Sequence, residues 1–140
     1  MRSRLSAPHL VNTLVQHGYT QWLGIPCSYL SPVIQCATEH SSIQWHPSTR
    51  ESDSIAFACG LYLGVKRPVI FMQNSGLLNT LDALSSLVIP YKIPLFMIVS
   101  YRGCPTSTPD AEHHHTTGKI TEGLLELLEI PYQVVQGDES

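Results

Sequence analysis

"IPLFMIVSY" (residues 93–101) decides the fold. Seven of its nine residues are apolar or aromatic, and polar and apolar positions do not alternate. A short continuous run of this kind is a strand buried on both faces, because a strand with one wet face would alternate. "RPVIFMQ" (67–73) reads the same way. The runs "YTQWLGIPC" (19–27) and "SIQWHPST" (42–49) give two further strands, and "YQVVQG" (132–137) a fifth.

Helical patterns fill the intervals. "SAPHLVNTLVQHG" (6–18) spaces Leu10, Val11, Leu14 and Val15 along one face, with Ser6 or Pro8 as a start signal and Gly18 as the stop. "SYLSPVIQCATEH" (28–40) carries Ser31 before Pro32, a cap and first-turn pair. "TRESDSIAFACGLYLG" (49–64) is apolar on nearly every side and should be buried nearly all round. "LLNTLDALSSLVIPY" (77–91) stops at Pro90, and "ITEGLLELLEI" (120–130) is amphipathic with Thr121 as its N-cap. Strands alternating with helices predict an α/β fold: an open, mainly parallel sheet with helices on both faces. Residues 1–140 form one domain, large enough for a real core.

Charged residues make up only 14% of the chain, against 43% apolar. A surface this poor in charge is explained most simply by burial in a partner, the alternative being a compact monomer with a Ser/Thr/Asn-rich surface. The net charge of −3, with no basic stripe, excludes a nucleic-acid role. No apolar run is long enough to span a membrane and the start is not a signal peptide. The four cysteines show no CxxC spacing, so free thiols in a reducing cytoplasm are expected.

In such a sheet, ligands gather beyond the carboxyl ends of the strands. "NSG" (Asn74, Ser75, Gly76) opens a helix at a strand end, where its backbone N–H groups could face an anion or polar ring; it is equally a good turn and cap. The P-loop and dinucleotide fingerprints are absent. The tract His113–His115 reads as a solvated loop with one useful histidine, since three adjacent side chains cannot converge on a metal. Cys27 is a nucleophile by position only, and a small packing residue otherwise. Glu51 and Asp53 both suit the first turn of a helix through its dipole. Glu51 lies between an apolar strand and an apolar helix, so it should be drawn inward and be able to exchange a proton.

Taken together, "TRESDSIAFACGLYLG", "RPVIFMQNSG" and "YKIPLFMIVSYRG" resemble the pyrimidine-binding domain of thiamine-diphosphate enzymes, and within them the sulfopyruvate and phosphonopyruvate decarboxylase branch. The likeness runs from "GIPCSYL" to "IPYQVV". It implies that Glu51, nine residues before Gly60, hydrogen-bonds the N1′ atom of the aminopyrimidine and shares a proton with it. It further implies that Gln73, Asn74, Ser75 and Gly76 border the cofactor, and that Pro26, Cys27 and Ser28 lie beside the substrate. His114 would meet substrate or move a proton. Arg102 would support an anionic tail or pair with a carboxylate.

The implied substrate is a small anionic 2-keto acid, sulfopyruvate or phosphonopyruvate, losing carbon dioxide to give the aldehyde. The implied cofactors are thiamine diphosphate and Mg2+, with no metal ligand on this chain. The diphosphate-binding part, with its Gly-Asp-Gly and a later Asn, is expected on a separate beta chain, giving an assembly of α2β2 or larger; here a single Gly-Asp stands at Gly137–Asp138. Leu78 replaces a usual glycine, Tyr101 a usual histidine or tryptophan, and Asp53–Ser54 a more usual acidic or small pair. Leu78 and Tyr101 keep a carboligase or acyltransferase open as an alternative, and a non-catalytic binding module is a third reading.

Overall fold

A computed structural model describes residues 5–107 and 109–135. Four strands, β1 (Gln21–Gly24), β2 (Gln44–Pro47), β3 (Pro68–Gln73) and β4 (Phe96–Ser100), form a sheet of order β2-β1-β3-β4. All three pairings are parallel, with Trp22 opposite Trp45 and Val69, and Ile70 opposite Leu23 and Met97. The helices are α1 (Ala7–Gln16), α2 (Ser31–Glu39), α3 (Glu51–Leu63), α4 (Asn74–Leu78), α5 (Leu81–Ala83) and α6 (His115–Leu127). A 3-10 turn over Ser28–Leu30 leads into α2, and a second over Glu112–His114 leads into α6.

Alternation along the strands divides the core in two. Leu23, Ile70 and Met72 point to one face, where they meet Ile55, Ala58 and Cys59 of α3, Leu84 just after α5, and Leu125 of α6. Trp22, Val69 and Phe71 point to the other and meet Val11 and Leu14 of α1 and Ala37 of α2. Strands β1 and β3 are closed to solvent throughout, apart from half-buried Gln73 at the end of β3. Both faces are covered because neither set of side chains has polar positions to leave in water. Each large side chain so buried contributes about 1.5–3 kcal/mol.

The helix starts follow local chemistry. Ser6 is extended ahead of α1, Pro8 sits in its first turn, and Gly18 follows its end at φ +82°.

Four expectations need correction. Helix α3 is not buried all round: Ser54, Ile55, Ala58 and Cys59 face the core, while Phe57 and Leu63 are 46% and 73% exposed. The sheet covers only one side of it. The expected single helix over 77–91 is broken at Asn79–Thr80, where the Thr80 hydroxyl donates to the Leu77 carbonyl at 2.7 Å and satisfies a helix-end acceptor. Beyond α5 the chain continues as a π-helical turn, Leu84–Val88.

Helix α6 begins six residues before Thr121, which lies in mid-helix and donates to the Thr117 carbonyl at 2.7 Å. The early start is a tertiary effect. Gly103 and Gly118 approach so closely that a Cβ on Gly118 would meet the Gly103 carbonyl, and the loop backbone thereby props the first turns of the helix. Finally, residues 131–135 carry no strand, and Gln136 and Gly137 of the expected fifth strand lie outside the described residues. The Tyr132 hydroxyl shares its single hydrogen between Glu122 Oε2 at 3.0 Å and Glu126 Oε1 at 3.2 Å, which holds this segment against α6.

Candidate functional site

The loops after the four strands converge on the carboxyl edge of the sheet, and most of the singled-out residues lie there. Glu51 is the first residue of α3, half-buried, behind an extended Arg50. Its carboxylate lies along α4: Asn79 Nδ2 donates to Oε2 at 3.3 Å, and Oε1 rests on the backbone of Gly76. A Cβ added at Gly76 would stand 2.5 Å from Glu51 Cγ and 2.6 Å from Oε1. Only glycine leaves room for the carboxylate there. The "NSG" turn and Glu51 are therefore one unit, built from segments more than twenty residues apart in sequence.

Next to it runs a string of polar side chains. Gln73, at the end of β3, donates from Nε2 to Ser75 Oγ at 2.6 Å. Its Oε1 accepts from the Cys27 thiol at 3.6 Å, and Cys27 Sγ lies 3.1 Å from Ser100 Oγ at the end of β4. Cys27 is buried, while its neighbours Pro26 and Ser28 are exposed at the same edge. All four cysteines are free thiols.

Asn74 faces away from that string. It is fully buried, and its Nδ2 donates to the Arg102 carbonyl at 2.9 Å and to Thr121 Oγ1 at 3.0 Å. Both amide hydrogens are thus spent on tying α4 to the β4 loop and to α6. Its Oδ1 is buried without a hydrogen-bond partner.

The loop after β4 is organised by an ion pair. Arg102 donates from Nε and from a terminal nitrogen to the two oxygens of Asp110, at 2.6 and 2.7 Å, and its guanidinium lies 4.2 Å from the centre of the Tyr29 ring. Asp110 also accepts from the backbone N–H groups of Gly103 (3.0 Å) and Ala111 (2.7 Å). This bidentate guanidinium holds the Asp110 carboxyl well below the usual carboxylate range, and Asp110 in turn raises Arg102. His114 is buried on the turn that closes the loop, its ring 4.0 Å from that of His113. Burial, then the positive charge of Arg102, pushes the His114 imidazole below its ordinary value. Among the described residues no three His, Cys, Asp or Glu side chains are grouped to hold a metal ion.

Tyr101 points elsewhere. Its hydroxyl shares its single hydrogen between the Gly118 carbonyl and Glu122 Oε1, each at 3.0 Å, and burial with Glu122 pushes its pKa up. Ser100, Asn79 and Asp110 were not anticipated from sequence. Ser100 closes the strongest strand and so must stand at the ligand edge, a signal available in principle; the other two carry none.

This arrangement of a parallel α/β sheet, a carboxylate seated on a glycine turn and a polar string at the carboxyl edge has known relatives. The sequence profile described as "Thiamine pyrophosphate enzyme, N-terminal TPP binding domain" matches residues 6–122. The chain belongs to that family. It is 41% identical over 108 residues to the sulfopyruvate decarboxylase subunit alpha of Methanococcus maripaludis, covering 77% of this chain and 64% of that one. It is 35% identical over 131 residues to the phosphonopyruvate decarboxylase of Streptomyces viridochromogenes, covering 94% of this chain and 33% of that one. The chain thus spans about a third to two thirds of the length of these relatives. The crystal structure of benzoylformate decarboxylase from Polynucleobacter necessarius shares the fold, with a TM-score of 0.62 at 15% identity over 98% of this chain and 29% of that one.

Proposed function

We propose that this chain is the pyrimidine-binding half of a thiamine-diphosphate-dependent decarboxylase acting on sulfopyruvate or phosphonopyruvate. The observation that carries the reading is the seat of Glu51. Its carboxylate is held at a ligand-binding edge by Asn79 and by a backbone cleared of Cβ at Gly76. This suits the aminopyrimidine half of the cofactor, whose ring nitrogen needs a carboxyl group fixed in place to share a proton. When bound, thiamine diphosphate supplies the electron sink for the bond to the departing carboxylate.

Within this chain Glu51 holds the proton at the ring. Gln73 and Ser75 present polar hydrogens beside it, and the exposed Pro26 and Ser28 flank the substrate, with the buried Cys27 set behind them. His114, kept neutral by its surroundings, is placed to accept or return a proton. Arg102 has five N–H donors and spends two on Asp110, so its remaining donors could meet a sulfonate or phosphonate. The Tyr101 hydroxyl is engaged with Gly118 and Glu122 of α6, and with Leu78 it keeps a carboligase as the alternative reading.

The diphosphate and its Mg2+ would be held by a partner chain, in keeping with the name of the alpha-subunit relatives. The outward face of α3 supports this: Phe57 and Leu63 are 46% and 73% exposed on the helix that begins at Glu51.

The test is co-expression with a diphosphate-binding chain and an assay of carbon dioxide release from sulfopyruvate, phosphonopyruvate and pyruvate. Release is expected from one of the first two, falling on the order of 10²-fold in Glu51→Gln. Undiminished release in Glu51→Gln, or turnover only in the presence of an acceptor carbonyl compound, would overturn the reading.

A further inference from the structure

The Cys27–Ser100 contact brings together residues 73 positions apart, both almost closed to solvent, and joins them to Gln73 and Ser75. A thiol has one hydrogen. Either partner of the 3.1 Å contact can donate, but Gln73 Oε1 can only accept, so the one arrangement that satisfies both contacts sends the thiol hydrogen to Gln73 and makes Ser100 the donor to sulfur. The carboxamide, its oxygen engaged by Cys27, turns its nitrogen to Ser75 Oγ at 2.6 Å. Ser75 therefore accepts within the string, and its own hydroxyl hydrogen is left for a group outside it. The bonds run head to tail, from Ser100 through Cys27 and Gln73 to Ser75, from the buried end of β4 to a half-buried hydroxyl at the ligand edge.

We propose that Ser100 and Cys27 are positioning residues that fix the Gln73 carboxamide and leave the Ser75 hydroxyl and the second Gln73 N–H as donors to a substrate oxyanion. The proposal rests on the functional reading above only for the identity of that oxyanion, the carboxylate or tail of a 2-keto acid. Neither Ser100 nor Cys27 touches the substrate. Their effect is orientational: a free carboxamide could turn over and present its oxygen to an anion, which would repel it. Cooperative polarisation along such a chain also strengthens its terminal donor.

The direction of the chain is measurable without cofactor or substrate, through the S–H stretching band of Cys27 in infrared difference spectra against Cys27→Ala. In the assembled protein, Gln73→Leu removes the acceptor of the thiol hydrogen and should move the band to higher frequency. Ser100→Ala should leave the band in its hydrogen-bonded position. A band that moves with Ser100→Ala and not with Gln73→Leu would mean that the chain runs the other way, and would overturn the proposal.

In the activity assay Ser100→Ala and Cys27→Ala should raise KM for the keto acid about five- to tenfold with kcat little changed, the factor that one hydrogen bond is worth. Ser100→Thr and Cys27→Ser should restore it. Unchanged KM in both alanine variants would reduce the string to packing and sink the idea. Bands that shift as expected, with no keto acid turned over, would refute the proposed activity and leave the chain standing.

Discussion

Replacing Gly76 by alanine isolates what the seat of Glu51 contributes. The new methyl would stand 2.5 Å from Glu51 Cγ and 2.7 Å from Cδ, whereas ordinary contact begins at about 3.4 Å. The carboxylate must then retreat by about 0.9 Å. Stability should hardly register this. The obstructing atoms are the end of a half-exposed side chain that can swing aside, and alanine in place of glycine in a helix returns up to about 1 kcal/mol. Chemistry should register it strongly, because a displacement of about 1 Å at a reacting group can cost on the order of 10²-fold in rate. The assay is carbon dioxide release by the co-expressed complex, alongside the thermal midpoint of the same preparation. A fall in kcat of roughly 30- to 100-fold with an unchanged midpoint is expected. Gly76→Ala with wild-type kcat would refute the reasoning, since Glu51 would then work equally well from a displaced position.

Three further outcomes follow from the surrounding geometry. Asn74→Ala strips the donors from the Arg102 carbonyl and Thr121 Oγ1, and should cost about 2–3 kcal/mol, a fall of roughly 5–10 °C in the thermal midpoint; a smaller change would mean that water replaces the amide. The Asp110 carboxyl is held low in the folded state, so its contribution is fully present above the ordinary carboxylate value of about 4 and is lost as pH falls through its folded value. The protection of the Gly103 and Ala111 amides, measured relative to their intrinsic exchange rates, should accordingly persist through mild acid and fall only below the ordinary carboxylate range, and in Asp110→Asn it should be reduced at neutral pH as well. The His114 imidazole should titrate below 6.5 in NMR, because burial and Arg102 both disfavour its charged form; the unfolded chain takes up this proton first, so this residue lowers stability as pH drops below about 6.5, and a midpoint at or above that value would contradict the packing.

The site was legible in part. Glu51, Gln73, Ser75 and Cys27 could be placed at one edge because each stands at the end of a strand or in the turn that follows it, and parallel strands deliver their following loops to the same edge. What each side chain does there was not legible. Asn74 looked like a ligand-facing residue and proves to tie α4 to the β4 loop and α6. Arg102 was open to an anionic tail or to a carboxylate, and only the structure names Asp110 as the carboxylate that grips it, eight residues away.

The amino-acid sequence by itself determined the alternation of strands and helices, the parallel sheet and the edge at which the candidate side chains gather. These depend on runs and periods of apolar residues, and a period is a local property of the chain. Only the tertiary structure decided that α6 starts at His115, that one face of α3 is left uncovered, that Glu51 lies on Gly76, and that Ser100 reaches Cys27. Those outcomes are set by which atoms approach within a few ångströms across elements distant in sequence. No local pattern encodes that distance, and packing fixes it once the sheet is closed on both faces.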